Sequence, residues 1–368
     1  MGRVVLVTGV SRDLGRRFAR DLAELAARSP ETTGIDRVIG VDVVPPRGDV
    51  GRLSFVRADI RNPVIAKVIA KEDVDTVVHM SVIATPGSAG GRGTMKELNV
   101  IGTMQLLAAC QKAPGLQRLI VKSTTTVYGA SSRDPAMFTE DAGPKQLPRS
   151  GYAKDAYEIE GYVRGFARRR PDVCLTLLRC ANVIGPEVAS PITSYFRLPV
   201  IPRVIGHDPR LQFLHEHDLL AVLRHAVVGE FPGTFNVAGD GVLLLSQAIR
   251  RSGRASIALP RPAVGGVGSA LRRARLADFS PEQLSLLTFG RGVDTTRMRE
   301  VLGFRPDYTS REAFEDFAAS LTPTPNPVGD LMLDLTDRWA DHGADDGTDH
   351  GAEPAAAGAT RGAGGAHG

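Results

Sequence analysis

Long hydrophobic runs, cysteine and tryptophan are all scarce in this sequence. Its 368 residues include three cysteines and one tryptophan, and no apolar run is long enough to span a bilayer, which argues against stable membrane insertion. Cys110, Cys174 and Cys180 form neither an even-numbered disulfide framework nor a metal-ligand spacing. The predicted first strand begins at about Arg3, which leaves no room for a signal peptide. We therefore expect reduced core cysteines and a cytoplasmic protein.

Charge of one sign is not in large excess either. The formal net charge is +4 at pH 7, from 45 Lys and Arg residues against 41 Asp and Glu residues. The basic residues are dispersed among acidic ones and no nucleic-acid-binding motif accompanies them, so we predict no nucleic-acid partner. A mildly basic chain suits an anionic small-molecule substrate, although most such charges belong to a solvated surface.

Metal-ligand clusters are also lacking. His215 and His217 flank Glu216 and superficially look like a metal site. They fall in a segment that leads into a predicted helix, with Asp218 as its expected opening residue. We therefore predict no metal site.

The sequence does contain a regular alternation of apolar strands and amphipathic helices in its first half. Strands are predicted over 37–42, 53–58, 75–80 and 117–122, and helices over 14–27, 63–70, 95–111 and 151–169. The pattern predicts an α/β fold with a Rossmann-type doubly wound parallel sheet. We expect an NAD(P)-binding Rossmann domain over 1–185, to which some later segments return. A smaller α/β substrate-binding lobe would lie mainly over 186–321, and a low-complexity, mostly disordered tail over 322–368.

The stretch from Val4 to Gly15 is typical of a dinucleotide-binding turn. An apolar strand ends at Gly9, which lets the backbone turn, and Gly15 lets the following helix approach the strand closely. The N-terminus of that helix offers free N–H groups to a pyrophosphate. The pattern alone also fits a tight turn in any α/β protein.

Asp42 ends the second predicted strand. In a dinucleotide-binding fold, an acid at this position faces the adenosine ribose and would repel a 2′-phosphate, so Asp42 predicts NAD as the cofactor. Arg12 favours NADP instead, because a cation in the glycine turn can bind that phosphate. The alternative without a cofactor is a loop aspartate that starts a turn before Pro45.

Further motifs follow in a fixed order, and with them the sequence resembles a known family. They include Asp59-Ile60, His79-Met80, Asn99-Val100, the segment from Ser123 to Gly129, Tyr152, and the segment from Leu178 to Pro186. The sequence is similar to extended short-chain dehydrogenases/reductases of the NAD-dependent epimerase/dehydratase family, in particular to UDP-glucose 4-epimerase-like proteins. The resemblance covers about residues 3–320.

The resemblance implies a reaction and a set of site residues. Thr124 would position the substrate and Tyr152 would transfer a proton, while hydride moves between the substrate and NAD, or NADP as the alternative. The substrate would be a nucleotide sugar or a similar hydroxylated molecule, bound by Asn182, with Arg210 and Arg291 as further candidates. The protein would be a homodimer. The implied cofactor-binding residues are Gly9, Ser11, Arg12, Leu14, Gly15, Asp42, Asp59, Ile60, His79, Met80, Asn99 and Ser123.

Two departures from the family pattern leave the chemistry open. The lysine that the family places four residues after the tyrosine is Ala156 here, and Lys154 points to nearly the opposite side of the helix. Arg12 stands where the family has its middle glycine. One alternative is therefore a catalytically impaired NAD(P)-binding protein that regulates or scaffolds a partner. Another is a reductase of a lipid or steroid-like alcohol.

Overall fold

A seven-stranded parallel sheet forms the centre of the fold. The computed structural model describes residues 2–84, 90–148, 151–264, 266, 268 and 280–322. The strands are β1 Arg3–Thr8, β2 Ile35–Asp42, β3 Ser54–Arg57, β4 Thr76–His79, β5 Arg118–Thr124, β6 Cys174–Cys180, β7 Asn182–Ile184, β8 Val200–Val204, β9 Arg210–Leu211, β10 Phe213–His215, β11 Gly233–Val237, β12 Leu243–Leu244 and β13 Ala255–Leu259. The order in the large sheet is β11-β6-β5-β4-β1-β2-β3. This order confirms the predicted doubly wound parallel sheet.

Helices alternate with these strands. Their bounds are Asp13–Arg28, Pro30–Thr33, Val64–Lys71, Arg92–Lys96, Gly102–Gln111, Gly151–Arg169, Pro191–Phe196, Glu216–Val228, Leu245–Arg251, Pro281–Phe289, Thr296–Glu300 and Ser310–Ala319. No helix in the described part of the chain has both the length and the apolar character needed to cross a membrane.

The two faces of the sheet bury two separate apolar cores. Val5 and Val7 of β1 pack with Phe18 and Leu22 of the first helix. Val4 and Leu6 belong to the core on the other face, which includes the helices Val64–Lys71, Gly102–Gln111 and Gly151–Arg169. Because successive side chains of a strand point to opposite faces, a strand covered by helices on both sides must be apolar throughout.

A third core lies under the short strands of the second half of the chain. β7 pairs with β10, β9 with β12, and β8 with β13. Tyr195, Phe196, Phe213, Phe314 and Phe317 are fully buried in this core. Of the predicted tail, all but Thr322 lies outside the described residues.

One helix is interrupted and another begins earlier than the sequence predicts. The helix predicted over 95–111 is interrupted by a π-helical segment, Glu97–Ile101. The helix expected to open at Asp218 starts instead at Glu216, because the His215 ring accepts a hydrogen bond from the N–H of His217 and so caps it. The Asp218 carboxylate accepts hydrogen bonds from the backbone N–H groups of Asp307 and Tyr308.

The first helix reaches the turn after β1 only because residue 15 is a glycine. A Cβ atom at Gly15 would lie 2.2 Å from the carbonyl oxygen of Gly9. We expect Gly15→Ala to lower the free energy of unfolding by about 1–3 kcal/mol, the range for overpacking a tight contact. Urea denaturation would measure this.

Gly161→Ala is the matched control for this substitution. Gly161 also lies in a helix, but a Cβ atom there would have no neighbour within 4 Å. Alanine favours the helix over glycine by about 1 kcal/mol, so this variant should be slightly more stable than the original. Equal unfolding curves for the two variants would contradict the steric role of Gly15.

Candidate active site

The helix Asp13–Arg28 begins directly beyond the carboxyl end of β1. Its N-cap residue is Arg12, whose side chain makes no capping hydrogen bond. An arginine has no acceptor atom, so it leaves the first N–H groups of the helix available to an anion. Gly9 forms the turn with a φ of +83°, and a Cβ atom there would lie 3.0 Å from Cα of Ser81. This end of the helix can therefore hold a pyrophosphate.

The Asp42 carboxylate lies against the same turn. It accepts hydrogen bonds from the backbone N–H of Ser11 at 2.9 Å and from the Ser11 hydroxyl at 2.7 Å. A third bond comes from the N–H of Val43 at 2.8 Å. Burial lowers the pKa of Arg12, and the charge of Asp42 opposes part of that shift. A carboxylate and a guanidinium thus line the same cavity, where the sequence predicted that they would compete over a 2′-phosphate.

A cavity of about 270 Å³ opens beside Asp42. Its predicted lining residues are Gly9, Ser11, Arg12, Asp42, Asp59 and Ile60. Ser81, Ile83 and Leu98 also line it, and sequence reasoning missed them. They lie in the segment after β4 and in the π-helical segment, which carry no glycine or charge signal. The mixture of apolar walls and the two carboxylates of Asp42 and Asp59 fits a nucleoside.

His79, Met80 and Asn99 are also predicted cofactor residues, but they do not line this cavity. Both ring nitrogens of His79 are occupied, by the hydroxyls of Thr8 at 2.9 Å and Thr103 at 2.8 Å. Burial lowers the pKa of His79 to about 4, so the ring is neutral at pH 7. Asn99 hydrogen-bonds both the N–H and the carbonyl oxygen of Ile83, and Met80 is buried. Asn99 thus holds the loop after β4, while His79 links β4 to β1 and to the helix Gly102–Gln111.

A second cavity of about 200 Å³ lies at the carboxyl ends of β5 and β6. Leu14, Ser123, Thr124, Tyr152, Asn182 and Arg291 line it, so the structure brings these predicted residues together. Lys122, Thr126 and Glu282 also line it and were not predicted as site residues. Much of the remaining wall is apolar. Arg210, on β9, is exposed and is not part of this lining.

Tyr152 is the second residue of the helix Gly151–Arg169, and it faces the same cavity as Thr124. Burial raises the pKa of Tyr152 to about 12, while a hydrogen bond with Thr124 and the positive charge of Arg291 act in the opposite direction. The phenol is consequently protonated at neutral pH. It is poised to donate a proton, and it needs nearby positive charge to accept one.

Ala156, which stands where the family has its lysine, belongs to the apolar core. Ala156 is 2% exposed and packs in the apolar cluster under β5 and β6. The Lys154 side chain is 43% exposed, and its Nζ lies 3.8 Å from the Glu158 carboxylate. Lys154 therefore lies on the surface of this helix, away from Ala156.

A buried ion pair supports the strand that carries Thr124. The Arg179 guanidinium of β6 binds the Glu160 carboxylate, with its closest contact at 2.7 Å. Ser123 donates a hydrogen bond to the same carboxylate at 2.6 Å. Arg179 also donates to the hydroxyl of Tyr128 and to the carbonyl oxygen of Glu140, both at 2.8 Å. Sequence reasoning missed this pair, because its members are 19 residues apart on different elements.

His215, which the sequence places in a group with Glu216 and His217, makes its contacts with protein groups. His215 stacks on Tyr308 with ring centroids 3.8 Å apart. Its Nδ1 accepts from the N–H of His217, and its Nε2 lies 3.0 Å from the Asp316 carboxylate. Over the described ranges, no group of three or more metal-ligating side chains is present.

Comparison with known proteins places this geometry in context. An uncharacterized protein of Mycobacterium tuberculosis (strain ATCC 25618 / H37Rv) is 47% identical over 331 residues, which are 88% of this chain and 86% of that protein. A solved UDP-glucose 4-epimerase with UDP-glucose, from Thermotoga maritima, superposes with a TM-score of 0.64 at 19% identity, covering 86% of this chain and 98% of that one.

A dTDP-glucose 4,6-dehydratase from Bacillus anthracis str. Ames, solved in complex with NAD, has the same fold. Its TM-score is 0.62 at 19% identity, over 87% of this chain and 96% of the dehydratase. The sequence model of the NAD dependent epimerase/dehydratase family matches residues 5–238. This range includes the ends of β2, β5 and β6, which border the two cavities. This chain belongs to the NAD dependent epimerase/dehydratase family.

Proposed function

We propose that this protein is an NAD-dependent epimerase/dehydratase-type oxidoreductase that acts on a nucleotide sugar by hydride transfer. The observation that carries the proposal is the meeting of Thr124 and Tyr152 in one cavity at the carboxyl edge of the sheet. Ligands bind at this edge in open parallel folds. The cavity beside Asp42 lies at the same edge, where β2 ends.

The described side chains suit such a cofactor and substrate. Asp42 would hold the adenosine ribose and the first turn of the helix Asp13–Arg28 would hold the pyrophosphate. When bound, NAD supplies the hydride acceptor. Thr124 would orient the reacting hydroxyl of the sugar, and Tyr152 would take up or return its proton. Asn182 and Arg291 are the proposed substrate contacts that lie in the cavity, whereas Arg210 would have to reach it from outside.

Asp42 gives a test of the cofactor that needs no substrate. We expect NAD to bind more tightly than NADP, because the carboxylate repels a 2′-phosphate. Asp42→Asn should weaken NAD binding by about tenfold, or 1.4 kcal/mol, and narrow the difference between the two dinucleotides. Calorimetric titration with NAD, NADH, NADP and NADPH measures both effects.

Asp141→Asn is the matched control, since its side chain is 92% exposed. It should leave all four affinities unchanged. Tighter binding of NADPH than of NADH by the original chain would refute the role of Asp42 and assign the site to Arg12. No binding up to about 1 mM would refute the cofactor proposal altogether.

A substrate panel tests the reaction itself. UDP- and dTDP-linked sugars would be incubated with the NAD-loaded protein, and the products followed by NMR. Epimerised or dehydrated sugar supports the proposal, while net reduction of a steroid-like ketone would favour the alternative reductase that the apolar cavity wall suggests. Tight NAD binding without any turnover would favour the catalytically impaired binding protein, which Ala156 suggests.

A cytoplasmic homodimer is also part of the proposal. The resemblance implies pairing through the helices predicted over 95–111 and 151–169, and the first of them carries exposed apolar groups: Ile101 is 39% exposed and Met104 36%. Covering such groups is a common reason for helices to pair between subunits. Light scattering would give a monomeric mass if the proposal is wrong. We further propose the division at residue 185 between a Rossmann domain and a substrate lobe.

A further inference from the structure

A line of hydroxyl groups joins Arg291 to Tyr152. The Arg291 guanidinium donates to the hydroxyl of Thr126 at 3.4 Å, and the hydroxyls of Thr126 and Thr124 are 3.0 Å apart. The Tyr152 phenol is the next side chain in this cavity, and its interaction with Thr124 lowers the pKa of the phenol. All four side chains line the same cavity. The reacting tyrosine is therefore connected to a cation that lies far from it in sequence.

The fold holds Arg291 rigidly in this place. Gly290 has a φ of +74°, and a Cβ atom there would lie 2.5 Å from the carbonyl oxygen of Arg210. The N–H of Arg291 donates to that same oxygen at 3.0 Å, and its guanidinium donates to the carbonyl oxygen of Gly129 at 2.7 Å. The side chain is only 9% exposed. Backbone and side chain are thus both anchored.

The charge of Arg291 is not cancelled by an adjacent acid. Within the described residues no carboxylate forms an ion pair within 4 Å of its guanidinium, and Asp134 acts on it only through its charge at longer range. Burial lowers the pKa of Arg291 to about 10, so it stays protonated at neutral pH. A buried cation without an ion-pair partner acts strongly on a neighbouring phenol, because the protein screens charge less than water does.

We propose that Arg291 supplies to Tyr152 the positive charge that the family pattern takes from a lysine at position 156. Arg291 is a positioning residue: it acts through Tyr152 by favouring the phenolate and by orienting the hydroxyls of Thr126 and Thr124. The inference rests on the proposed function, since a charge beside Tyr152 matters for catalysis only if Tyr152 transfers a proton. The effect of Arg291 on the ionisation of the phenol can nevertheless be measured without a substrate.

Other charged groups also face Tyr152. Lys122 of β5 and Glu282 of the helix Pro281–Phe289 line its cavity. Asp155 is fully buried on the same helix, but Arg92 binds it with two hydrogen bonds of 2.5 and 2.6 Å and so offsets its charge. Burial raises the pKa of Cys180 to about 11, which keeps that thiol neutral. Of the two cations in the lining, Arg291 is the one joined to the hydroxyl line.

Ultraviolet titration of the Tyr152 phenol tests the inference. The spectrum of each Tyr152→Phe variant is subtracted from that of its tyrosine-containing counterpart, with and without NAD, while circular dichroism checks folding at each pH. In the NAD-bound protein, where the positive nicotinamide also favours the phenolate and the phenol ionises below the pKa of Arg291, we expect Arg291→Gln to raise the midpoint by about one pH unit or more. Arg291→Lys should retain most of the original midpoint.

Two further variants complete the test: one is a control for charge, and the other interrupts the line of hydroxyl groups. Arg311→Gln removes an equal charge from the surface of the helix Ser310–Ala319, where Arg311 pairs with Glu315, and should leave the midpoint unchanged. Thr126→Val breaks the hydroxyl line while keeping the side-chain shape, and it should raise the midpoint even if Arg291→Gln does not fold.

The outcomes separate this inference from the proposed function. An unchanged midpoint in folded Arg291→Gln, or a larger shift in Lys122→Gln, overturns the assignment to Arg291. An unchanged midpoint in Thr126→Val overturns the hydroxyl line. If the midpoint shifts as expected while no nucleotide sugar is converted, the proposed function fails and the action of Arg291 on Tyr152 stands.

Discussion

Replacement of Tyr152 by phenylalanine is expected to lower turnover of the nucleotide sugar by about 100-fold or more. The substitution removes one hydroxyl group and leaves the ring in place, so the walls of the cavity are kept. General acid–base groups contribute rate factors of about 100 to 10,000, which sets the lower bound. Steady-state kinetics on the substrate found in the panel would measure the loss in kcat.

Tyr162→Phe is the matched control on the same helix. Tyr162 is 41% exposed, and it is not among the residues that line the cavity of Tyr152. Its variant should keep the original kcat and KM, and both variants should bind NAD as the original chain does. Undiminished kcat in Tyr152→Phe would remove Tyr152 from the mechanism, while a loss confined to KM would make it a binding group only.

Local patterns in the sequence were sufficient to predict five of the seven strands of the sheet and part of the site. The apolar runs around Val5 and Val78 predict strands covered on both faces, and the glycine turn at Gly9 predicts the strand-to-helix connection. Thr124 is the last residue of β5, so its position at the carboxyl edge of the sheet follows from the strand itself. The meeting of Thr124 with Tyr152 followed from the resemblance, since their separation in sequence carries no periodic signal.

Contacts between distant segments could not be predicted in this way. Arg291 and Thr126 are 165 residues apart, and their contact depends on the turn at Gly290 meeting β9. Arg92 and Asp155 are 63 residues apart. A charged residue in a polar stretch of sequence is typical of a solvated surface, and only the packing of the whole chain shows that Arg291 is buried.

The buried pair of Arg179 and Glu160 predicts the largest loss of stability. The Glu160 side chain is 1% exposed, and that of Arg179 is 10% exposed. Burial alone would lower the pKa of Arg179, but the hydrogen bond and charge of Glu160 raise it overall. Arg179→Met would leave a buried carboxylate without its partner, which typically lowers the free energy of unfolding by about 3–5 kcal/mol. Urea denaturation at pH 7 would measure the change.

Arg164→Met is the control, because Arg164 reaches the same carboxylate from outside. Its guanidinium lies 3.4 Å from Glu160, but its side chain is 47% exposed. Water screens such a pair, so its loss should change the free energy of unfolding by less than about 1 kcal/mol. Equal effects of the two variants would show that burial does not set the strength of these contacts.

A double variant separates the loss of the pair from the loss of packing. In Glu160→Leu/Arg179→Met no buried charge remains, so much of the stability lost in Arg179→Met should return. Ser123 would still lose its acceptor at Glu160, and Ser123 directly precedes Thr124 on β5. The double variant should therefore recover stability more fully than turnover, since the hydroxyl of Thr124 has to stay in register with Tyr152. Complete recovery of both would show that the ion pair supports the fold without positioning the reacting groups.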